Sequence, residues 1–486
     1  MPIFINNSLS RKKEEFAPLN PPKVNIYTCG VTVYDECHIG HARSLYIFDC
    51  IRRYLEYRNF KVNFVRNITD IDDKIINRAK ELKRDWKELV KQYIDGYYED
   101  LKSLSITKAN YEPRATENIP DMIKYIEGLI DKGYAYVTDS GVYFSVRKFK
   151  DYGKLSGQGI EQMLTGVRKE PDETKEDPLD FTLWKISKPD EPSWESPWGK
   201  GRPGWHIECS VMSQKYLKAD TLDIHAGGRD LIFPHHENEI AQSEALTNKP
   251  FAKYWIHHGL LTINAQKMSK SLGNFVTIKD FIAKYKNADL LKLFFLSAHY
   301  SHSIDYNEDK IGEAKKQKKT FEEFLFSADF WRQYYEYRSK QPEARELTKK
   351  TDLIETTQKD KEKVEKLSVK FEQAMDDDFN MPQGLSYLFE LVDLGATFNS
   401  QDKRDGFELV ETKLKTFLEI FGITIPKFEE ISQDILKQIL KREIDRRINK
   451  DFIAADEERQ KLWLQGYIVS DTGTSASCTL IRLPNS

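Results

Sequence analysis

Two cysteines, one histidine and one glutamate carry side chains that could together bind a metal ion. His235 and Glu239 lie four residues apart in FPHHENEIAQSEAL, and on a helix this spacing puts both on one face with β-carbons about 5–6 Å apart. Cys29 and Cys209 would add two thiolates, and two thiolates with an imidazole and a carboxylate favour zinc over hard cations. The alternative is a polar helix start beside buried cysteines, since cysteine is commonly a small core residue.

Two histidines and two lysines could bind a chain of phosphates. His38 and His41 lie three residues apart in CHIGHARS, at the start of a predicted helix whose free amide groups would attract a phosphate. A single histidine there would more often be a cap or a core residue. Lys267 and Lys270 belong to KMSKS and could stabilise the charge that develops as pyrophosphate leaves. Such a loop is otherwise a solvated surface turn.

The segment 24–49, VNIYTCGVTVYDECHIGHARSLYIFD, predicts the scaffold for these side chains. A short buried strand comes first, Gly30 is predicted to let the chain turn sharply after Cys29, and an amphipathic helix follows. The next strand, KVNFVRNIT, ends at Thr69. A strand, helix and strand with short connections form a right-handed parallel unit, which binds ligands beyond the carboxyl ends of its strands. We therefore predict an α/β, Rossmann-like parallel sheet, and KMSKS is predicted to follow another strand of that sheet, YWIHHGLLTI.

Composition limits the classes of protein that fit the chain. Its 486 residues, 31% charged and 40% hydrophobic, indicate a globular protein of roughly two to four domains. No apolar run approaches the roughly 20 residues of a membrane span and no signal peptide is evident, so we expect a cytoplasmic protein without a membrane partner. Five scattered cysteines suggest reduced thiols or metal ligands. A net charge of −3 means that nucleic acid would have to bind local patches.

HIGH and KMSKS, in this order and roughly 230 residues apart, resemble the paired nucleotide-binding signatures of class I aminoacyl-tRNA synthetases. Between about residues 24 and 382, six segments resemble successive blocks of the cysteinyl-tRNA synthetase family: TCGVTVYDECHIGHARS, NITDIDDKI, RPGWHIECSVM, FPHHENEIAQSEA, KMSKSLGN and AMDDDFNMP. The resemblance implies that L-cysteine attacks the α-phosphate of ATP to give cysteinyl-adenylate and pyrophosphate. The 2′-hydroxyl of the terminal adenosine of tRNA(Cys) would then accept the cysteinyl group.

The resemblance implies one zinc ion per subunit, bound by Cys29, Cys209, His235 and Glu239, and this ion would explain the choice of cysteine. An apolar pocket would separate cysteine from serine only about 100-fold. A zinc ion with an open position can bind the substrate as a thiolate, which a serine hydroxyl imitates badly because it is harder and far less acidic. No editing domain is then needed, which fits the short predicted insertion at residues 111–203.

The resemblance also implies which residues contact ATP. His38 and His41 are expected to contact the phosphates, and Lys267 and Lys270 are expected to stabilise the leaving pyrophosphate, with Lys270 the first choice for a direct contact. Magnesium is expected to accompany ATP without a dedicated protein cage.

Five more residues are expected to bind the ribose or the amino acid. Gly227 and Asp230, in GGRD, are predicted to hold the ribose, although GGRD could equally be a structural turn. Gly30, Thr69 and Trp205 are predicted to line the amino-acid pocket, with packing roles as the alternative for Thr69 and Trp205.

Changes in composition and residue pattern divide the chain into five predicted parts. Residues 1–110 and 204–280 are predicted to form the two halves of the catalytic domain, on either side of the insertion at 111–203. A helical bundle at 281–415 is expected to contact the tRNA stem, and a small region at 416–486 is expected to recognise the anticodon. By resemblance we expect a monomer.

The C-terminal region supports the RNA-binding expectation only in part. Basic residues between 437 and 450 could follow phosphates or form a plain amphipathic surface. The family pattern has an aromatic residue shortly after Gly473 and Thr474, which this chain lacks, so the last dozen residues are unassigned.

Three other classes of protein share some of these features. A zinc hydrolase could use HHENE, but the HExxH order is absent and KMSKS would be unexplained. A ligase that couples cysteine to an amino sugar would share HIGH and the zinc ligands, but it would lack the C-terminal RNA-binding half predicted here. A non-catalytic RNA-binding relative would be expected to have lost active-site groups, and none is missing from this sequence.

Overall fold

The computed structural model describes residues 1–166, 174–268, 273–345, 347, 355–401, 403–471 and 478–482. The chain divides into two compact units. The first comprises Met1–Ala288, Ala298–Asn307 and Asp376–Phe379, and the second comprises Asp289–Ser297, Glu308–Met375 and Asn380–Ser486. Across the described ranges, no helix has both the length and the apolar composition needed to cross a bilayer.

Strands and helices alternate along most of the first unit. Up to the end of the insertion they are β1 (Phe4–Asn7), β2 (Lys12–Glu15), β3 (Lys23–Thr32), α1 (Ile39–Tyr57), β4 (Lys61–Thr69), α2 (Asp73–Leu82), α3 (Trp86–Ser103), α4 (Ile119–Asp131), β5 (Ala135–Thr138), β6 (Gly141–Phe144), α5 (Ile160–Gly166), β7 (Phe181–Ile186) and β8 (Gly201–Pro203). After it come α6 (Trp205–Leu217), β9 (Leu222–Gly228), α7 (Glu237–Thr247), β10 (Ala252–His258), β11 (Leu261–Ile263), β12 (Gln266–Lys267), α8 (Ile278–Tyr285) and, further along, β13 (Ile304–Tyr306).

Four parallel strands form the central sheet of the first unit, in the order β10–β9–β3–β4. Ile26 of β3 lies between Phe64 of β4 and Ile224 of β9. Helices α1 and α6 pack against this sheet, and its strands are buried along most of their length because helices cover parallel sheets on both faces. The predicted α/β fold with a parallel sheet is confirmed.

Gly30 lies within β3 and not at a turn after it, so that part of the prediction is wrong. The register of β3 against β4 shifts between Thr28 and Val31, which marks a bulge. A Cβ atom at Gly30 would lie 1.6 Å from the backbone oxygen of Asn67 on β4. Glycine is therefore required at the position after Cys29 by the close approach of two backbones.

The insertion forms its own antiparallel sheet, in the order β5–β6–β7–β8. The predicted helix and hairpin correspond to α4 and to β5 with β6. Met122, Ile126 and Leu129 repeat along α4 at helical spacing and are all fully buried, which is the amphipathic pattern of a helix packed on a core. This helix packs against α6 and α7, so the insertion supports the two helices that carry candidate metal ligands.

A separate three-stranded sheet has the order β12–β11–β13. Lys267, the first residue of KMSKS, lies in β12, which pairs with β11 and not with β10. The prediction that this motif follows a strand of the central sheet is therefore wrong. Gly259 lies between β10 and β11 in the chain, and a Cβ atom there would be 2.2 Å from the backbone of His302, so this position needs glycine.

Four residues from far along the chain complete the first unit. The backbone N–H of Asn6 and the hydroxyl of Tyr300 each donate a hydrogen bond to Oδ1 of Asp378, at 2.8 and 2.7 Å. The Tyr54 hydroxyl donates one of 2.6 Å to Asp376. The segment Asp376–Phe379 thus belongs with the first unit by its contacts.

The second unit is helical in its described part. Its helices are α9 (Asp289–Leu296), α10 (Glu308–Ser339), α11 (Gln358–Asp376), α12 (Met381–Ser400), α13 (Arg404–Ile420), α14 (Gln433–Ile444) and α15 (Phe452–Leu464), followed by a hairpin of β14 (Tyr467–Asp471) and β15 (Cys478–Arg482). Phe371 and Phe417 stack in its core with ring centroids 4.0 Å apart. The predicted helical C-terminal region is confirmed, whereas the five domain boundaries stay a prediction.

Candidate active site

The four predicted metal ligands converge at the carboxyl ends of the central strands. One donor atom from each of Cys29, Cys209, His235 and Glu239 lies within 4.8 Å of all the others. Cys29 comes from β3, Cys209 from α6 and Glu239 from α7. His235 lies in the turn Ile232–His236 that leads into α7, after a kink at Phe233. The two ligands four residues apart are therefore held on one continuous helical segment, as their spacing predicted.

The donor set fits a bound cation. Nε2 of His235 is buried without a hydrogen-bond partner, although Oε1 of Glu239 lies 3.0 Å away. A buried polar atom without a partner is costly, and a cation between these two atoms would satisfy both. Two sulfurs, one imidazole and one carboxylate are the ligand types that zinc accepts.

The charge states of these four side chains also favour a bound cation. Burial raises the pKa of the Cys29 thiol, and the adjacent Cys209 raises it further. Burial also opposes ionisation of Cys209, but the hydrogen bond from Cys29 and the charge of His235 lower its pKa to about 6. Burial likewise acts against ionised Glu239, whose pKa His225 and His235 nevertheless lower to about 2. Burial also opposes protonation of His235, but Glu239 and Cys209 raise its pKa to about 10. The charge of His235 thus balances part of the negative charge of Cys209 and Glu239, and a cation could neutralise the rest.

Three buried histidines that were not predicted from the sequence lie next to these ligands. His225 Nε2 lies 2.8 Å from Oε2 of Glu239, and His236 Nε2 lies 3.2 Å from the sulfur of Cys29. His236 Nδ1 is in turn 2.8 Å from Nε2 of His257. His225 and His236 also form, with Cys29 and Glu239, a second group of donors within 4.8 Å of one another. His225 and His257 inside the largely buried strands β9 and β10 were the signal that could have revealed this layer.

His38 and His41 lie at the N-terminus of α1, where their rings stack with centroids 3.7 Å apart. His38 is the N-cap residue, and its side chain accepts a hydrogen bond from the backbone N–H of His41. The reciprocal bond from His38 N–H to the His41 ring completes a capping box. The two rings are thus fixed side by side at a helix end that attracts anions.

The KMSKS region lies against the HIGH helix. A Cβ atom at Gly40 would be 3.4 Å from the methyl carbon of Met268. The backbone of Ile39 donates to Val276, and Ile278 donates to Cys37, at 3.1 and 2.9 Å. Lys267 is exposed beside Met268, whereas Lys270 lies outside the described residues. The two sequence motifs, far apart in the chain, are therefore neighbours in space.

Gly227 and Asp230 lie at the carboxyl end of β9. Gly227 is the penultimate residue of the strand, and a Cβ atom there would be 2.8 Å from the ring of His236, so this position needs glycine for packing. Asp230 is exposed in the short turn that follows. Both are at the edge where parallel sheets bind ligands, and their contact with ribose stays a prediction.

The residues predicted to line the amino-acid pocket surround the metal ligands. The Trp205 ring stacks on His235 with centroids 4.0 Å apart, and 37% of Trp205 is exposed. The Thr69 hydroxyl donates a hydrogen bond of 2.8 Å to the buried carboxylate of Glu208. The backbone N–H of Gly30 donates one of 2.8 Å to Asn67. Glu208 and Asn67, which sequence reasoning missed, thus orient the predicted pocket residues.

Two protein-family models match the chain. Residues 15–316 match the model described as tRNA synthetases class I (C) catalytic domain, and residues 370–425 match the DALR domain. The first match covers more than half of the chain.

Curated relatives match nearly the whole length. The cysteine–tRNA ligase of Thermodesulfovibrio yellowstonii is 48% identical, with 96% of this chain and 97% of that protein covered. The cysteine–tRNA ligase of Aquifex aeolicus is 45% identical over 97% of this chain and 98% of that protein.

A solved structure supports the fold. The Mycobacterium tuberculosis methionyl-tRNA synthetase in complex with methionyl-adenylate superposes with a TM-score of 0.58, covering 96% of this chain and 99% of that one at 13% identity. Together with the match to the catalytic-domain model and with relatives above 40% identity, this places the chain by sequence and by fold: it belongs to the cysteine–tRNA ligase family of class I tRNA synthetases.

Proposed function

We propose that the chain ligates L-cysteine to tRNA(Cys) in two steps, through a cysteinyl-adenylate made from cysteine and ATP. The observation that carries the proposal is the convergence of two thiols, an imidazole and a carboxylate within 4.8 Å in a chain whose relatives are named cysteine–tRNA ligases. This soft donor set suits recognition of a substrate by its sulfur.

Zinc is the proposed metal, one ion per chain, held by Cys29, Cys209, His235 and Glu239. When bound with an open position, zinc would bind the sulfur of cysteine as a thiolate and discriminate against serine. Trp205, stacked on His235, would cover one side of the bound amino acid. Gly30 and Thr69 would lie on other sides, with Thr69 oriented by Glu208.

The phosphate side of the reaction is proposed for the residues at the start of α1. The Nε2 atoms of His38 and His41 would donate hydrogen bonds to the phosphates of ATP. Lys267 and Lys270 would neutralise the pyrophosphate as it leaves, and Gly227 with Asp230 would hold the ribose. Magnesium is proposed to enter with ATP, bound mainly by phosphate and water.

The second unit is proposed to bind tRNA, with its last part at the anticodon. The pKa of Arg446 is lowered by burial and then by Arg442, Arg447 and Arg459, so positive charges are crowded where an RNA phosphate would relieve them. Trp463 on α15 is exposed over 58% of its surface and could stack on an unpaired base. An Arg446→Gln variant is expected to lose tRNA affinity while keeping amino-acid activation.

The location and assembly state are also proposals. A cytoplasmic location is supported by the thiol ligands, which need a reducing compartment to stay available for a metal. A monomer is proposed from the family resemblance, and light scattering on the purified protein would test it.

Cysteine-dependent ATP–pyrophosphate exchange tests the function most directly. We expect exchange with cysteine, little with serine, and charging of tRNA(Cys) by the same preparation. Exchange without charging would favour ligation of cysteine to another acceptor, such as an amino sugar. Absence of both would overturn the proposal.

A further inference from the structure

One cleft in the first unit lies apart from the metal ligands and from the HIGH helix. It has a volume of about 640 Å³ and is walled by α3, by the start of the insertion and by the loop 192–194. This volume is in the range of about 300–1,000 Å³ that holds a small-molecule-sized group. Nothing in the two-step reaction as described uses its side chains.

Two tryptophans form the aromatic wall of this cleft. Trp86 is the first residue of α3 and Trp194 belongs to the insertion loop, and their ring centroids lie 6.4 Å apart at 74°. Both rings are only partly buried. Lys87 Nζ lies 5.7 Å from the centre of the Trp86 ring. Aromatic faces beside cations are the arrangement that binds unpaired nucleotides, with bases on the rings and phosphates on the cations.

Hydrogen bonds fix the backbone at both tryptophans. Trp194 and Gly201 exchange two backbone hydrogen bonds, of 2.8 and 3.0 Å. The chain at Trp86 is fixed by Asp85, the N-cap residue, whose carboxylate accepts hydrogen bonds from Lys87 and Glu88 at 2.9 and 3.1 Å. A preformed stacking surface loses little entropy when a base binds.

The charge of the cleft suits an anion. Lys87, Lys91 and Arg114 line it, against Asp70 and Asp95. Asp70 is buried and accepts two hydrogen bonds from Thr116, which lines the cleft beside it. Arg114 lies 3.9 Å from Glu117, and 42% of its side chain is exposed. Three cations face two carboxylates, so the cleft keeps a small positive excess in a chain whose net charge is −3, and one phosphate group could bind there.

The cleft adjoins the proposed amino-acid pocket. Asp70, on its wall, directly follows Thr69, the last residue of β4. The Thr69 hydroxyl bonds Glu208, which precedes the candidate zinc ligand Cys209. Because the terminal adenosine of tRNA must reach the adenylate, the nucleotides just before it must lie close by. The cleft borders the proposed amino-acid pocket and could therefore hold one of these nucleotides.

We propose that this cleft binds an unpaired nucleotide of the 3′ end of tRNA, immediately before the terminal adenosine, with its base stacked on Trp86 or Trp194 and its phosphate near Lys91. The inference rests on the proposed ligase function. The cleft would position the acceptor end of tRNA and would take no part in the activation of cysteine.

Trp194→Ala and Trp86→Ala in the full-length, zinc-loaded enzyme test the stacking. We expect kcat/KM for tRNA to fall roughly tenfold in each, since one base–aromatic stack is lost. ATP–pyrophosphate exchange should stay at the unmodified level, and Trp194→Phe should restore most of the charging. Exchange also reports that each variant is folded.

Lys91→Gln tests the phosphate contact with a change that the fold tolerates, because this lysine is exposed. The slope of log kcat/KM for tRNA against log salt should become shallower by about 0.7, the value for one phosphate of a single strand. Lys124→Gln removes the same charge from an exposed position on α4 outside the cleft and should leave the slope unchanged.

Three results would overturn the inference. Unchanged charging in both tryptophan variants would show that no base binds there. A parallel loss of exchange and charging would show that the cleft serves the fold or cysteine activation and not tRNA. Failure of the unmodified enzyme to exchange would instead overturn the proposed function, and this inference with it.

Discussion

Nδ1 of His38 accepts a hydrogen bond of 3.2 Å from the backbone N–H of His41, and Nδ1 of His41 accepts one of 3.3 Å from the N–H of His38. A ring nitrogen that accepts a hydrogen bond carries no proton, so the geometry assigns both rings as neutral with the proton on Nε2. Burial lowers the pKa of His41 well below its usual value, and His38 and Lys74 lower it further. Both histidines are therefore neutral donors and not fixed positive charges.

His38→Asn should separate the two roles of this residue. Asparagine at an N-cap still accepts a hydrogen bond from the helix, so the melting temperature should stay close to that of the unmodified protein. ATP–pyrophosphate exchange should fall about 100-fold, because the donor aimed at the phosphates is lost. His38→Ala, the control, should lose the same activity and also about 1 kcal/mol of folding free energy with the cap. Equal melting temperatures for both variants would contradict the capping role.

Cys209→Ser should remove the metal. We expect metal analysis to find about one zinc per chain in the unmodified enzyme and almost none in the variant, because a serine hydroxyl is a poor zinc ligand. Discrimination between cysteine and serine in the exchange assay should fall with it. Cys50→Ser is the matched control, since Cys50 is equally buried, on α1, and should keep both zinc and discrimination. Selectivity that survives in a zinc-free Cys209→Ser enzyme would rule out recognition through the metal.

Gly30→Ala should be among the most damaging small changes in the first unit. The added methyl group would lie 1.6 Å from a backbone oxygen of β4, so strand β3 must shift, at a cost of about 3 kcal/mol or more. Urea unfolding would measure the loss, and zinc affinity should fall because Cys29 moves. Gly96→Ala on α3 is the control, since a Cβ atom there meets nothing within 4 Å, and it should stabilise the helix by about 0.5–1 kcal/mol. Similar stabilities for the two variants would refute the close-approach argument.

Asp100 should make stability depend on pH. Burial raises the pKa of this α3 carboxyl to about 7, Glu36 and Glu99 act in the same direction, and Lys279 opposes them. The folded state thus retains a proton that the unfolded chain releases above about pH 4, so the stability gained from protonation is complete below that pH and is lost as the pH rises to 7. The asparagine in the Asp100→Asn variant does not ionise. The free energy of unfolding of this variant, relative to that of the unmodified protein, should therefore increase from pH 4 to pH 7 and then level off.

Asp95→Asn is the control for this titration, since it alters an exposed carboxylate on the same helix. Denaturant unfolding of both variants at pH 5, 6 and 7.5 gives the comparison. An advantage of Asp100→Asn that does not change over this range would show that its carboxyl titrates normally.

Spacing in the sequence was enough to predict that His235 and Glu239 share a face, and residue type with the family resemblance added Cys29 and Cys209. His235 and Glu239 are joined by one helical segment, and local geometry fixes such a pair before any tertiary contact forms. Cys29 lies near the carboxyl end of a strand that its hydrophobic pattern predicts. The parallel sheet could be predicted for the same reason.

The histidine layer could not be predicted, because it depends on contacts between distant elements. His236 meets His257 only when β10 lies beside β9, and the spacing of residues within one segment does not specify which strands are neighbours. The error at Gly30 has the same origin. Its constraint comes from Asn67 on another strand, and the assignment of β12 to a separate sheet follows from pairing with β11 alone.

The segment Asp376–Phe379 limits how this protein can be cut into pieces. A fragment that stopped at Ala288 would contain most of the first unit but would leave Asn6 without the carboxylate of Asp378. Any attempt to express the nucleotide-activating part by itself would have to graft these four residues, together with Ala298–Asn307, onto the truncated chain.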